Sequence, residues 1–127
     1  AKPLWDYTLS EATGKKTSFL IDVKNKLEIE NIIIKNHYLT SREYKDVELF
    51  NIVTARGVAA LDKLVSIAVP RLKSKGLFIA YKGPQADKEV FEAKKNLKKY
   101  RTNLINQIAF NLPVTGAKRK ILIFQVD

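Results

Sequence analysis

The sequence predicts an α/β fold with a doubly wound, mostly parallel sheet and a C-terminal antiparallel hairpin. Short apolar runs rich in β-branched residues alternate with segments of helical periodicity along most of the chain. This alternation is typical of a parallel sheet with helices on both faces. The last two strand-like segments have no helix between them, which predicts the hairpin. The 127 residues contain no repeat and no low-complexity linker, so we expect them to belong to one domain.

The first elements are predicted from local periodicity. Tyr7–Leu9 has the composition of a short strand, and residues 15–28 are predicted as a helix. The helical spacing in that segment is carried by Phe19, Leu20, Val23 and Leu27. The isoleucine-rich run at residues 31–34 predicts a strand buried on both faces. Residues 50–54 predict another short buried strand, with a polar loop between the two.

A second helix and a third strong strand are predicted next. The apolar stripe of residues 61–72 predicts the helix, and Pro70 is compatible only with its end, because proline has no N–H to donate. Gly76 predicts a turn, and residues 77–81 predict the strand, which ends before a Gly-Pro pair.

The C-terminal part is predicted to contain a charged helix and the hairpin. Residues 86–100 form the helix, whose basic face we expect to be solvated and to add only a diffuse field to any RNA binding. Residues 105–112 and 121–126 are the two strands. The connection at 113–120 carries the basic run Lys118–Lys120 in the hairpin loop.

The chain carries a large excess of positive charge. It has 23 Lys and Arg against 13 Asp and Glu, a formal net charge of +10 at pH 7. Such an excess favours polyanionic partners, because each phosphate that a cation neutralises releases condensed counterions. A lysine-rich surface without a nucleic-acid partner is the alternative that composition leaves open.

Residue content excludes several kinds of chemistry. The chain has no cysteine and one histidine, His37, so we expect no disulfide, no thiolate catalysis and no metal site. Neither a Gly-x-Ser-x-Gly elbow nor a phosphate-binding Gly-x-x-x-x-Gly-Lys-Ser/Thr loop is present. No apolar run approaches the ~20 residues of a membrane helix, and no signal peptide is visible. We therefore expect a cytoplasmic location without a membrane partner.

The remaining residues suit chemistry that depends on positioning rather than on acid–base groups. In methyl transfer from a sulfonium to an aromatic nitrogen, the nitrogen lone pair attacks in line and the leaving group is neutral. Such a reaction needs no cysteine or histidine. Holding the two reactants together contributes roughly 7 kcal/mol or more in favourable systems.

Three polar side chains follow predicted strand ends. Glu11 comes after the first strand, Arg56 after the strand at 50–54, and Lys82 after the strand at 77–81. The carboxyl ends of parallel strands share one edge of a sheet, where ligands bind in open α/β folds. A carboxylate there suits a ribose diol, and a guanidinium suits a carboxylate or phosphate. A solvated turn carboxylate and an exposed loop arginine are the alternatives from position alone.

Three ordered stretches carry a family resemblance. Residues 51–64 read Asn-Ile-Val-Thr-Ala-Arg-Gly-Val-Ala-Ala-Leu-Asp-Lys-Leu. Residues 70–83 contain Pro-Arg-Leu-Lys and Ala-Tyr-Lys-Gly, and residues 8–20 contain Thr-Leu-Ser-Glu-Ala-Thr-Gly-Lys-Lys and Phe-Leu. In this order they resemble Asp-Val-Val-(Ser/Thr)-Ser-Arg-Ala-x-Ala-Ser-Leu, Pro-Leu-Leu-Lys-Pro-Gly-Gly with Ala-(Leu/Tyr)-Lys-Gly, and Thr-Leu-Leu-Asp-Ser-x-x-Lys-(Lys/Arg). These are motifs of the bacterial 16S rRNA guanine-N7 methyltransferases, also called glucose-inhibited division protein B.

The resemblance implies a class I methyltransferase fold, S-adenosyl-L-methionine as methyl donor, and a guanine of 16S rRNA in the 30S subunit as acceptor. The positions it implies for donor binding are Glu11, Leu39, Thr40 and Arg56. Lys82 matches the lysine of the Lys-Gly motif, and together with Lys15 and Lys16 it is expected to contact the rRNA backbone. The resemblance assigns no catalytic residue.

Departures from the family pattern concern the donor site. Thr40 stands where the family has glutamate, and Tyr38 stands where arginine is common. The family's Asp-x-Gly-x-Gly-x-Pro-Gly loop and the strand before it are missing. That strand lies between the strands predicted at Tyr7 and Phe50, whose edges would then lack ladder partners. We therefore expect residues 1–127 to be the C-terminal part of a single methyltransferase domain, monomeric at full length, that binds the donor poorly by itself.

Two other functions stay open. A non-enzymatic RNA-binding α/β domain fits the charge and the missing glycine loop. A class I methyltransferase with another acceptor fits the same motifs, since no residue identifies the acceptor atom. A Gly-x-Gly loop after a strand in the upstream sequence would distinguish an enzyme from a binding domain.

Overall fold

The computed structural model describes residues 7–11, 14–27, 32–36, 49–56 and 59–127. The chain divides into two compact units, Ala1–Thr40 and Ser41–Asp127.

The first unit contains a strand–helix–strand motif. Strand β1 (Tyr7–Glu11) is followed by helix α1 (Gly14–Lys26) and strand β2 (Ile32–Asn36). The two strands are parallel, and Glu11 at the end of β1 is paired in register with Asn36 at the end of β2. Parallel strands need a crossover of a dozen or more residues, which α1 supplies. The predicted order strand, helix, strand is confirmed here.

The second unit contains a mixed four-stranded sheet and three short helices. Its elements are β3 (Phe50–Arg56), α2 (Leu61–Ala68), a 3₁₀ turn (Val69–Arg71), β4 (Leu72–Lys82), α3 (Ala86–Glu92), α4 (Lys94–Lys99), β5 (Thr102–Asn111) and β6 (Lys118–Val126). The strand order is β3-β4-β6-β5. β3 and β4 are parallel, while β6 is antiparallel to both β4 and β5. The predicted C-terminal antiparallel hairpin is therefore confirmed.

The core of the second unit lies between the helices and one face of the sheet. Phe78 of β4 and Phe124 of β6 are fully buried and stacked, with ring centroids 5.8 Å apart and an interplanar angle of 22°. Leu61 and Val65 of α2 and Leu122 of β6 are also fully buried in this cluster. Stacked aromatic pairs add to the free energy gained by burying their area.

The opposite face of the sheet carries partly exposed apolar side chains. Ile52 of β3, Tyr81 of β4 and Ile108 of β5 are 41%, 42% and 48% exposed. The strand register places them in alternation with the buried residues around Phe78.

The second helix is shorter than its apolar stripe predicts. α2 ends at Ala68, and the chain continues as the 3₁₀ turn around Pro70, whose missing N–H cannot continue the helical ladder. The prediction that the helix extends over residues 61–72 is wrong at its end, because Leu72 already belongs to β4 and pairs with Phe50. Leu72 is nevertheless buried, as its place in the stripe indicates.

Gly76 lies in an irregularity within β4 rather than in a turn before it. The pairing with β3 shifts between Phe50, opposite Leu72, and Ile52, opposite Leu77, and Lys75 has a φ of 64°. A Cβ atom on Gly76 would lie 2.8 Å from the Lys73 carbonyl oxygen and 3.1 Å from that of Asn51. The glycine is therefore required by close backbone approach.

Two further boundaries differ from the predictions. The charged helix predicted at 86–100 is two helices, α3 and α4, separated at Ala93, which has a φ of −84° and a ψ of −1°. Ala93 is fully buried, so the break has no room for a larger side chain. Lys118–Lys120 were placed in the hairpin loop but form the start of β6, because the turn closes earlier, at 112–117.

Candidate active site at the carboxyl edge of the sheet

The carboxyl ends of β3 and β4 form one edge of the sheet in the second unit. In the parallel register, Arg56 at the end of β3 pairs with Tyr81, and Lys82 is the next residue of β4. The register thus brings Arg56 and Lys82 to the same edge of the sheet, as expected for ligand sites in open α/β folds. Successive side chains of a strand alternate between faces, so these two cations project to opposite sides of that edge.

Arg56 has an exposed side chain. Among the described residues it has no ion-pair partner, and it lies on the face of the sheet away from the buried cluster around Phe78. A guanidinium at this position is free to form a bidentate contact with a carboxylate or phosphate. Its predicted role in ligand binding stays a prediction.

Lys82 is buried and held by internal contacts. Its side chain is only 7% exposed, and Nζ donates a hydrogen bond of 2.6 Å to the carbonyl oxygen of Ala59. The same nitrogen lies 3.1 Å from Oε1 of Glu89 in α3. Buried charges are stable in proteins when they are paired and hydrogen-bonded, as here. The predicted contact of Lys82 with rRNA is untested, but this geometry gives the ammonium a structural role inside the protein.

Glu89 joins Lys82 to the beginning of α2. Its Oε1 atom accepts a hydrogen bond of 3.0 Å from the backbone N–H of Leu61, the first residue of that helix. Ala60, at the helix N-cap, makes no side-chain capping bond of its own. A carboxylate from α3 therefore satisfies an N–H that the helix leaves open, at the end where its dipole favours negative charge. Lys82 and Glu89 together hold Ala59 and the start of α2 in place.

The first unit has its own pair of adjacent strand ends. Glu11 and Asn36 are paired in register at the carboxyl ends of β1 and β2. Lys15 and Lys16 are the second and third residues of α1. Leu39 and Thr40 lie outside the described residues.

The described ranges contain no group of three or more His, Cys, Asp or Glu residues that could hold a metal ion. None of the helices in the described part of the chain is long and apolar enough to cross a membrane.

Two features of this edge were missed by the sequence interpretation. Nothing in the sequence relates Glu89 to Leu61, which is 28 residues away. Lys120 was placed in a distal loop, yet it is paired in register with Lys82 at the carboxyl edge of β4. Both relationships come from the antiparallel return of β6 and the packing of α3.

Comparison with known proteins gives consistent matches. Residues 1–118 match the family model described as GidB, rRNA small subunit methyltransferase G. The "Ribosomal RNA small subunit methyltransferase G" of Thermotoga petrophila is 34% identical over 117 residues, which is 92% of this chain and 51% of that protein. The chain thus spans about half the length of the curated relatives that it matches.

Solved structures of methyltransferases share the fold. The N-methyltransferase NodS from Bradyrhizobium japonicum, in complex with S-adenosyl-L-homocysteine, aligns with a TM-score of 0.69 at 9% identity, covering 95% of this chain and 66% of that one. An rRNA methylase from Streptococcus thermophilus aligns with a TM-score of 0.66 at 9% identity, covering 96% and 74%. At these identities the likeness concerns the fold, which is that of the class I methyltransferases.

Proposed function

Because the chain belongs to the GidB family, rRNA small subunit methyltransferase G, we propose that its protein transfers a methyl group from S-adenosyl-L-methionine to N7 of a guanine in 16S rRNA. The observation that carries the proposal is the family match over residues 1–118 on a class I methyltransferase fold. The guanine N7 acceptor rests on the ordered motifs that resemble the guanine-N7 enzymes. The net charge of +10 supports a nucleic-acid substrate.

The strand ends fit one part of the methyl donor. Glu11 and Asn36 end adjacent parallel strands, and a carboxylate at such a position accepts hydrogen bonds from ribose hydroxyls. The exposed guanidinium of Arg56 suits a carboxylate. We therefore assign donor binding to Glu11 and Arg56, with Leu39 and Thr40 as the family's adenine-side positions. When bound, S-adenosyl-L-methionine supplies a methyl group on a positively charged sulfonium.

The residues of this chain contribute positioning rather than proton transfer. The guanine N7 lone pair carries no proton, so the reaction needs no general base. Lys82 and Glu89 fix Ala59 and the first turn of α2 near the carboxyl ends of β3 and β4. Holding a ligand in one orientation contributes several kcal/mol to such a reaction, on the order of 7 in favourable cases.

The chain is proposed to form the C-terminal part of one methyltransferase domain. Its sheet exposes Ile52, Tyr81 and Ile108 on the face away from the helices α2, α3 and α4. Apolar sheet faces are normally covered by another layer of structure. Further polypeptide of the same domain, covering the middle of this face but not the Phe110–Arg119 end of the hairpin, accounts for the exposure and for the half-length match to relatives. We further propose that the full-length protein is a cytoplasmic monomer acting on 16S rRNA or the 30S subunit.

Methyl transfer by the full-length protein tests the proposal. Labelled S-adenosyl-L-methionine is incubated with 30S particles that lack the modification and, as a control, with 30S particles that carry it. Label in the 16S rRNA of the first sample only, recovered as 7-methylguanosine, is the expected result. Label in another nucleoside would identify a methyltransferase with a different acceptor. No label, in a protein that binds RNA, would identify a non-enzymatic RNA-binding domain instead.

A further inference from the structure

A groove with basic walls opens at the carboxyl edge of β4. It has a volume of about 490 Å³ and lies between the Gly83–Pro84 turn, the start of α3, the end of β5 and the start of β6. The residues that we call the basic groove are Pro84, Phe110, Asn111, Lys118, Arg119 and Lys120. None of them was assigned to ligand binding from the sequence.

Strand register places the basic groove beside the candidate active site. Lys120 pairs with Lys82, the residue that follows the partner of Arg56 in the parallel register. The groove therefore begins where β4 ends, at the same edge of the sheet as Arg56. Lys120 shares the sheet face of Lys82, and Arg119 lies on the face of Arg56, so the groove has a cation on each side of this edge.

The cations of the groove are held in defined positions. Nη1 of Arg119 donates a hydrogen bond of 2.8 Å to the carbonyl oxygen of Lys118, whose own side chain is exposed. Nζ of Lys120 lies 2.7 Å from Oδ1 of Asp87 and 3.3 Å from Oε1 of Gln107. Asp87 is 81% exposed and offsets one of the three positive charges, so the groove keeps a positive balance.

An aromatic side chain accompanies these cations. Phe110 pairs in register with Arg119 and is 38% exposed. Cations neutralise phosphates, and exposed aromatic rings stack on unpaired bases, which together are the features of single-stranded RNA sites. An acidic peptide would use the cations but would leave the ring without a partner.

A second basic surface of the same unit lies away from Arg56, at the other end of the strands. A depression of about 560 Å³ is lined by Lys94, Lys95 and Lys98 of α4 and by the start of β5. Thr102 at that start pairs with Val126, and Gln125 pairs with Leu77, so this surface lies toward the amino end of β4. It is at the opposite edge of the sheet from Arg56 and serves as a matched control.

From these relationships we infer that the basic groove binds a single-stranded segment of rRNA next to the nucleotide that is methylated. The inference rests on the proposed function and adds a substrate surface to it. Lys118 and Arg119 contact phosphates, and Phe110 stacks on a base. Because Lys82 is buried, the basic groove rather than Lys82 is the main RNA contact at the carboxyl end of β4.

Salt-dependent binding tests the inference. The affinity of the full-length protein for 16S rRNA is measured between low and moderate salt for the wild type, a Lys118→Ala/Arg119→Ala variant and a Lys95→Ala/Lys98→Ala variant. Each lost phosphate contact lowers the slope of log affinity against log salt by about one unit. We expect the groove variant to lose about two units on this rule and the α4 variant to keep the wild-type slope. Phe110→Ala should weaken binding roughly 5- to 100-fold without changing the slope.

The outcomes separate this inference from the proposed function. Equal slopes for the wild type and the groove variant, with an unchanged KM for 30S particles, would overturn the groove while methyl transfer by the wild type persists. A reduced slope only in the α4 variant would place the RNA on the other edge. A wild type that binds no rRNA would overturn both proposals. Donor affinity, measured by calorimetry, checks that each variant is folded. The single substitution Lys118→Glu provides a second groove variant at an exposed position.

Discussion

Nζ of Lys82 lies 3.1 Å from Oε1 of Glu89, and this pair connects the end of β4 to α3 across a Gly-Pro turn. The ammonium also donates to the carbonyl oxygen of Ala59, and the carboxylate also accepts the N–H of Leu61. The ammonium of β4, the carboxylate of α3, the first N–H of α2 and the carbonyl of Ala59 thus satisfy one another, and both charged side chains are largely buried. The pair is a structural support of the edge at which Arg56 lies.

Lys82→Met is expected to lower the free energy of unfolding by about 2 to 4 kcal/mol, because it leaves Glu89 partly buried without a counter-charge and Ala59 without a donor. Urea unfolding of the full-length protein measures the change. Lys88→Met is the control, since Lys88 is 70% exposed and lies 3.9 Å from Glu92. The control should change stability by less than about 0.5 kcal/mol. Equal effects of the two substitutions would mean that the Lys82–Glu89 pair contributes nothing specific.

Phe124→Ala tests the stacked pair at the centre of the core. Phe124 is fully buried against Phe78, and truncating a buried phenylalanine costs about 3 to 5 kcal/mol. Phe91→Ala is the matched control, because Phe91 is 72% exposed. Thermal and urea unfolding of both variants should differ clearly. A small loss for Phe124→Ala would show that the sheet face is packed differently.

Gly76→Ala tests the irregularity in β4. The added Cβ would lie 2.8 Å from the carbonyl oxygen of Lys73 in the same strand and 3.1 Å from that of Asn51 in β3, so the backbone must shift, at a cost of about 1 to 3 kcal/mol. Gly116→Ala provides the comparison, since Gly116 has open space around it and a φ of +69°, for which the backbone penalty is roughly 1 kcal/mol. We expect Gly76→Ala to be the more destabilising of the two in urea unfolding. The reverse order would argue against close approach of β3 and β4 at this point.

Arg56→Ala tests the donor assignment. Because Arg56 is exposed, the loss of a charged contact there should cost about 1 kcal/mol, or roughly a fivefold higher dissociation constant for S-adenosyl-L-methionine. Calorimetry on the full-length protein measures this constant. Lys95→Ala, which removes one positive charge at the opposite edge, should leave it unchanged. An unaltered constant for Arg56→Ala would remove Arg56 from the donor site.

Much of the fold is encoded in patterns that the sequence displays directly. Short runs rich in β-branched and aromatic residues predict the strands around Ile33, Val53 and Ile79, and all three are present. The burial predicted for residues 50–54 is wrong, since no residue of β3 is fully buried. The C-terminal hairpin followed from two strand-like runs without a helix between them. The exact ends of elements were harder. Pro70 changes the last turn of α2 to a 3₁₀ turn, and the buried Ala93 interrupts a charged segment whose composition favours a continuous helix.

The site was less predictable because it depends on contacts between distant residues. The sequence predicts that Arg56 lies at a strand end, and its parallel pairing with Tyr81 confirms this position in the sheet. The burial of Lys82 was not visible, because its partners come from α3 and from the segment before α2. The sequence predicts Lys118 and Arg119 in a loop, but the tight turn at 112–117 places them on β6.

The most direct test of the proposed function is the 7-methylguanosine content of 16S rRNA in cells with and without the gene. Purified 16S rRNA is digested to nucleosides and quantified by mass spectrometry. We expect deletion to remove one 7-methylguanosine per 16S rRNA, wild-type protein to restore it, and the Arg56→Ala protein to restore it more slowly. An unchanged 7-methylguanosine content in the deletion strain would contradict the assignment of this chain to a 16S rRNA guanine-N7 methyltransferase.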